Sequence, residues 1–189
     1  MEMPHEEHLA AVKHILRYLA GTWNWGLFYP RKRGEKIELR GFSDSDLAED
    51  LNSRKSTSGV LFLLGDSPVS WQLAKQKIVA QSSYEAEYIA AAAAANQGVW
   101  LARLLAEILD SDLSRPLQWV DNKSAISLIK NPVHHDRSKH NDVKFHVIRD
   151  YAQNGQIEVK FIGTNEQLRE ATRKDQVSRA LHQDWPAFG

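Results

Sequence analysis

The 189-residue chain has no cysteine and no net charge, its 24 lysines and arginines balancing 24 acids. Without cysteine there is no disulfide framework and no thiolate metal site. Zero net charge removes the global electrostatic footprint of a nucleic-acid binder, so any such binding has to come from local patches. No apolar run of membrane-spanning length stands out, because Ala90 to Ala95 is short and bounded by Glu87, Asn96 and Gln97. No basic-then-apolar signal pattern opens the chain, so an intracellular protein without a membrane partner is expected. What remains is an ordinary composition, 42% hydrophobic and 25% charged, long enough to bury one sizeable core with an appended segment.

Periodicity supplies the elements. Val12, Ile15, Leu16 and Leu19 make His8 to Leu19 an amphipathic helix, with Gly21 as its stop. Gly26 to Tyr29 reads as a short strand, and the basic run Arg31 to Lys36 as a linker, which sets a boundary near residue 35. Ile37 to Asp44 alternates as a strand with Arg40, Phe42 and Asp44 on one face. Val60 to Leu64 and Pro68 to Gln72, joined through Gly65-Asp66-Ser67, continue an antiparallel meander. A long helix follows from Ser83 to Leu109, then a strand from Leu117 to Val120 and a helix from Asn122 to Lys130. Another helix carries Val143, Val147 and Tyr151, a fifth strand runs from Ile157 to Ile162, and a last helix from Glu166 to about Leu181. The order predicts a mixed sheet with helices packed on its faces.

Acids punctuate this order in the manner of a two-metal phosphodiester hydrolase, whose ions need hard oxygen ligands drawn from separate segments. Glu87, Ala91, Ala94, Gly98, Leu101, Leu105 and Ile108 share one face of the long helix, which puts Glu87 on the buried stripe. Glu85 lies about 200° away around the wheel and reads as a solvated acid. Asp121, ending a strand, has a bland reading as a helix N-cap. His134, His135, His140 and His146 repeat no zinc-motif spacing, and Asp44 to Ala48 lacks the acid and glycine of a calcium loop.

Specific runs carry a family resemblance: Gly41-Phe42-Ser43-Asp44-Ser45-Asp46, Arg54-Lys55-Ser56-Thr57-Ser58-Gly59, Val69-Ser70-Trp71, Ser82 to Ala90, Val120-Asp121-Asn122-Lys123-Ser124-Ala125-Ile126, Asn131-Pro132-Val133 and Arg137 to Asp142. Together they resemble the ribonuclease H domain of copia-type LTR retrotransposon polyproteins. The opening Val12 to Thr22 resembles the tail of the preceding reverse transcriptase, so the chain looks like the C-terminal slice of a reverse transcriptase/ribonuclease H polypeptide. The resemblance implies an α/β ribonuclease H-like fold at residues 36–183, five strands with the first three antiparallel, behind an N-terminal helix and linker at 1–35.

It further implies hydrolysis of the RNA strand of RNA/DNA hybrids with two Mg²⁺ ions, for which Mn²⁺ may substitute. Asp44, Glu87 and Asp121 match the family's metal-binding acids, with Asp44, rather than Asp46, bridging both ions. Glu170 stands where the family has an aspartate, in Gln167-Leu168-Arg169-Glu170 followed by polar rather than bulky residues. Ser43, Ser45 and Asn122 are candidates for 2′-hydroxyl contacts. Arg54, Lys55, Lys75, Lys77, Arg137, Lys139 and His140 are candidates for phosphates. The reverse transcriptase part of the same polyprotein is the expected partner, and the expected address is cytoplasmic, with a virus-like particle or the nucleus as variants. The altered fourth acid keeps a second expectation open: a weakened or inactive binding module from a decayed or domesticated element. A DNA-directed nuclease or transposase is a third, since fold alone does not fix substrate.

Overall fold

A computed structural model describes residues 5–24, 26–27, 29, 38–47, 53–110, 115–130, 142–163 and 166. The chain divides into two compact units, Met1–Tyr29 with Lys174–Gly189, and Pro30–Arg173. In the first, α1 (Glu6–Gly21) is the expected amphipathic helix, extended through Gly21 to a cap at Thr22, and it buries none of its residues. Gly26, Leu27 and Tyr29 belong to no strand, against the expectation of one there.

In the second unit, β1 (Leu39–Ser45), β2 (Thr57–Leu64) and β3 (Ser67–Lys75) form the meander, followed by α2 (Ser83–Leu109), β4 (Leu117–Val120), α3 (Lys123–Lys130), α4 (Asp142–Gln153) and β5 (Glu158–Phe161). The five-stranded sheet has the order β3-β2-β1-β4-β5. Its first three strands are antiparallel, while β4 pairs parallel to β1 and β5 parallel to β4. This is the mixed sheet of a ribonuclease H-like fold. The β2–β3 turn is Gly65-Asp66, where Gly65 takes φ +60°, a left-handed conformation that costs glycine nothing.

Helix α2 is buried along more than the one stripe that its spacing suggests. Ala94 and Leu101 pack with Leu39, Val60 and Phe62 of the sheet. Ala91, Ala92, Ala95 and Val99 join a second cluster with Val120, Ile126, Ile129, Ile148 and Val159. Alanine's single methyl explains the composition: small side chains let one helix touch the sheet, α3 and α4 at once. The stripe ends before Ile108, which is 67% exposed. By length and hydropathy α2 reaches the range of a membrane span, contrary to the sequence reading. Its contacts with sheet and helices account for that apolar character without a bilayer.

Close approach of α2 to the sheet is set by two glycines. Phe62, 1% exposed, lies with its ring under both Gly41 of β1 and Gly98 of α2. A Cβ at Gly41 would sit 2.5 Å from the ring and one at Gly98 3.1 Å. Two buried amides then fix where along its axis the helix sits. Gln76 Nε2 donates to the Ala86 carbonyl at 3.0 Å and to Ser58 Oγ, and Gln118 Nε2 donates to the Ala91 carbonyl at 2.9 Å. Glu87 lies between these two anchor points.

Candidate active site

The parallel pairing of β1 with β4 aligns Ser43 with Val120, so the residues that follow them, Asp44 near the end of β1 and Asp121 just past β4, lie side by side at the carboxyl edge of that pair. Glu87 descends onto them from the second turn of α2. One ligand oxygen from each of the three carboxylates lies within 4.8 Å of the others. Two oxygens on opposite sides of a Mg²⁺ are about 4.2 Å apart, given a metal–oxygen distance near 2.1 Å. Only one pair among three ligands can lie opposite, and adjacent ones sit about 3 Å apart, so the three acids supply the hard oxygen donors of a divalent-cation site and would close in on an ion as it binds.

Glu87 gives the clearest sign that something is meant to sit there. It is 6% exposed, its Oε1 accepts hydrogen bonds from Ser45, and its Oε2 is buried with no hydrogen-bond partner. A buried orphan carboxylate oxygen is costly, and a cation supplies the missing partner. Burial, and next the charge of Asp121, push the Glu87 carboxyl up to about 7, against the lowering effect of the Ser45 hydroxyl. Burial and Asp121 also raise Asp44, opposed by the Ser45 amide.

The sign of the resulting pH dependence follows. Between about pH 4.5, the ordinary value, and about 7 the folded chain holds a proton on Glu87 that the unfolded chain has lost, so ion-free stability falls as pH rises through that window and levels off above it. Thermal unfolding in chelator should show Tm dropping from pH 5 to 7.5, with Glu87→Gln removing most of the slope. An unchanged slope in that variant would assign the effect elsewhere. The total is on the order of 3 kcal/mol before solvent screening, which lowers it. A divalent ion competes with this proton, so its affinity weakens as pH falls below 7.

The neighbours of these acids have other duties. Asp46 Oδ1 accepts the Thr57 amide at 2.6 Å and its own amide donates to the Thr57 carbonyl, which ties it to the start of β2. Glu85 Oε2 accepts the Gln81 amide while Ser82 Oγ accepts the Glu85 amide, a reciprocal cap on α2 rather than a free surface acid. Asn122, not Asp121, caps α3: its Oδ1 accepts the Ser124 and Ala125 amides. The capping role that competes with metal binding for Asp121 thus falls to its neighbour.

Two of the expected substrate contacts have hydrogen-bond partners within the protein. Ser43 is 1% exposed, with its hydroxyl against Gln118 Nε2 in the sheet–helix interior, because an odd-numbered position on β1 points at α2. Ser45 turns its hydroxyl to Glu87. Arg54, Lys55, Lys75 and Lys77 lie around the start of β2 and the end of β3. Arg137, Lys139, His140 and Glu170 lie outside the described residues. Sequence reasoning passed over Gln76 and Gln118. A polar residue amid the apolar Leu117-Gln118-Trp119-Val120 was the available signal for the second.

Comparison with known proteins follows the same direction. The retrovirus-related Pol polyprotein from transposon RE1 of Arabidopsis thaliana is 41% identical over 185 residues, 98% of this chain and 12% of that protein. The one from transposon TNT 1-94 of Nicotiana tabacum is 42% identical over 166 residues, 88% of this chain and 12% of its own length. The chain thus spans about an eighth of these relatives. No protein-family model matches it. Among solved structures, LC11-RNase H1, isolated from compost, aligns over 76% of this chain and 95% of its own at 15% identity and a TM-score of 0.49.

Proposed function

Since this chain belongs to the Pol polyproteins of copia-type retrotransposons, we propose that it is their ribonuclease H segment and cleaves the RNA strand of RNA/DNA hybrids in a divalent-metal-dependent, two-ion reaction. One observation carries the reading: three carboxylates from three elements converge within ligand distance, and one of them holds a buried oxygen without a partner. Bound divalent ions would supply Lewis-acid stabilisation of the scissile phosphate and a water acidic enough to attack it.

The chain's own groups divide the remaining work. Asp44, exposed at the strand end, is open to an approaching phosphate and would be a ligand shared by both ions. Glu87 and Asp121 would hold a first ion with it, and Glu170 would serve a second. Strands β2 and β3 pair so that β2 begins and β3 ends on the side where β1 ends. Arg54, Lys55, Lys75 and Lys77 therefore flank the acids along one sheet edge and would take phosphates of the hybrid. Lys123, 4.8 Å above the Phe161 ring, adds a cation on the opposite flank. With its Oδ1 used as a cap, Asn122 retains its NH2 group for a 2′-hydroxyl. Arg137, Lys139 and His140 remain candidates for the same backbone. The reverse transcriptase part of the polyprotein is the proposed partner, inside the cell.

The deciding experiment offers labelled RNA/DNA hybrid, double-stranded RNA and duplex DNA to the protein with Mg²⁺ or Mn²⁺. Metal-dependent cleavage confined to the RNA of the hybrid is expected, with Glu170→Asp cleaving faster than wild type by up to about tenfold, within the range that a displaced metal-site partner costs. Cleavage of duplex DNA instead would favour the transposase-like reading. Hybrid binding without cleavage in either protein would favour the inactive module suggested by Arg169-Glu170.

A further inference from the structure

Ser45 joins two of the three carboxylates. Its amide N–H reaches Asp44 Oδ1 at 2.9 Å and Glu87 Oε1 at 3.1 Å, and its Oγ donates to the same Glu87 Oε1 at 3.0 Å. Asp44 and Ser45 end β1, whereas Glu87 arrives 42 residues later on α2, so this serine is the hydrogen-bonded link between the two elements at the site. A carboxylate with both donors on Oε1 has its plane fixed and only Oε2 left to offer, which is the oxygen that is buried and unpartnered. Three like charges in a small space would otherwise swing apart, and the Glu87 side chain has the rotamers to do so.

We propose that Ser45 is a positioning residue of the metal centre: its hydroxyl and amide orient Glu87 so that Oε2 faces the ion, and the shared amide sets the spacing of Glu87 and Asp44. This rests on the metal-centre reading given above. Partners of this kind around a metal ligand are worth about 10–100-fold in metal affinity. The hydroxyl's share is separable from that of the amide, because Ser45→Ala removes one donor and leaves the other. Ser45→Thr keeps the hydroxyl, and a β-branched side chain suits a strand.

The test is calorimetric titration of Mn²⁺, with Mg²⁺ in competition, into the substrate-free full chain as wild type, Ser45→Ala, Ser45→Thr and Asp121→Asn. Metal-free Tm is recorded for each. Expected are a dissociation constant raised about tenfold or more in Ser45→Ala, near-wild-type affinity in Ser45→Thr, and loss of the site in Asp121→Asn. A serine that merely supports the fold would lower the metal-free Tm and leave affinity alone, and that result overturns the assignment. Equal weakening in Ser45→Ala and Ser45→Thr overturns it as well. Wild type binding no more tightly than Asp121→Asn would instead refute the metal centre itself, and the role of Ser45 with it.

Discussion

Asp44→Asn should abolish hybrid cleavage while leaving the protein folded, and should raise its ion-free Tm. The first half follows from position. Asp44 is the exposed member of the cluster, at the end of the central strand, and asparagine keeps its shape while removing the charge that a hard cation requires. Loss of a partner that only supports a metal ligand already costs about 10–100-fold, so loss of the ligand's charge should cost more. The second half follows from repulsion. Burial and the neighbouring Asp121 make the charged form of Asp44 unfavourable in the folded chain, so neutralising it relieves the fold at neutral pH. Cleavage kinetics and thermal unfolding of one preparation check both signs. A variant that cleaves within tenfold of wild type, or one that is inactive and also less stable, would place the site's strain and chemistry elsewhere.

Phe62→Ala should be the most destabilising single change in the sheet, about 3–5 kcal/mol, because that ring is nearly sealed at the junction of β1, β2 and α2. Gly41→Ala attacks the same point from the opposite direction. A methyl 2.5 Å from the Phe62 ring cannot be housed unless the ring moves, and Gly98 blocks retreat on the helix side at 3.1 Å. Overpacking of this kind costs about 1–3 kcal/mol. The two changes share one volume, so they should not add: Gly41→Ala combined with Phe62→Leu should be closer to the single Phe62→Leu variant than the sum allows. Denaturant unfolding of the double-mutant cycle reads this directly, and strict additivity would mean that the ring is not what the glycines accommodate. Gly41→Ala should also impair metal binding, since lifting α2 from β1 moves Glu87 away from Asp44.

Much of the site was legible because its residues sit where periodicity is strict. A two-residue repeat puts Asp44 near the end of β1, and a 3.6-residue repeat puts Glu87 among alanines and Gly98 on the buried side of α2. The meander, α2 with its full span and the strand before Asp121 follow from the same two periods. Local spacing says nothing about partners across long separations, and that is where the reading fell short. Ser45 and Ser43 look alike in sequence, yet one clamps Glu87 and the other is sealed beneath the helix. Sequence alone offers Asp121 as the cap, and only the path of the chain gives that role to Asn122. The stripe on α2 continues in sequence to Ile108 but outruns the sheet beneath it, leaving that side chain in solvent.

The central pairing of β1 with β4 has a consequence for timing. It joins Arg40 through Ser43 to Leu117 through Val120, so the third carboxylate reaches its companions only after the meander, the whole of α2 and β4 have left the ribosome. Non-local parallel pairing is slow to form because loop closure comes before any contact rewards it. A growing or truncated chain ending short of Asp121 holds two of the three carboxylates and so lacks the complete cluster.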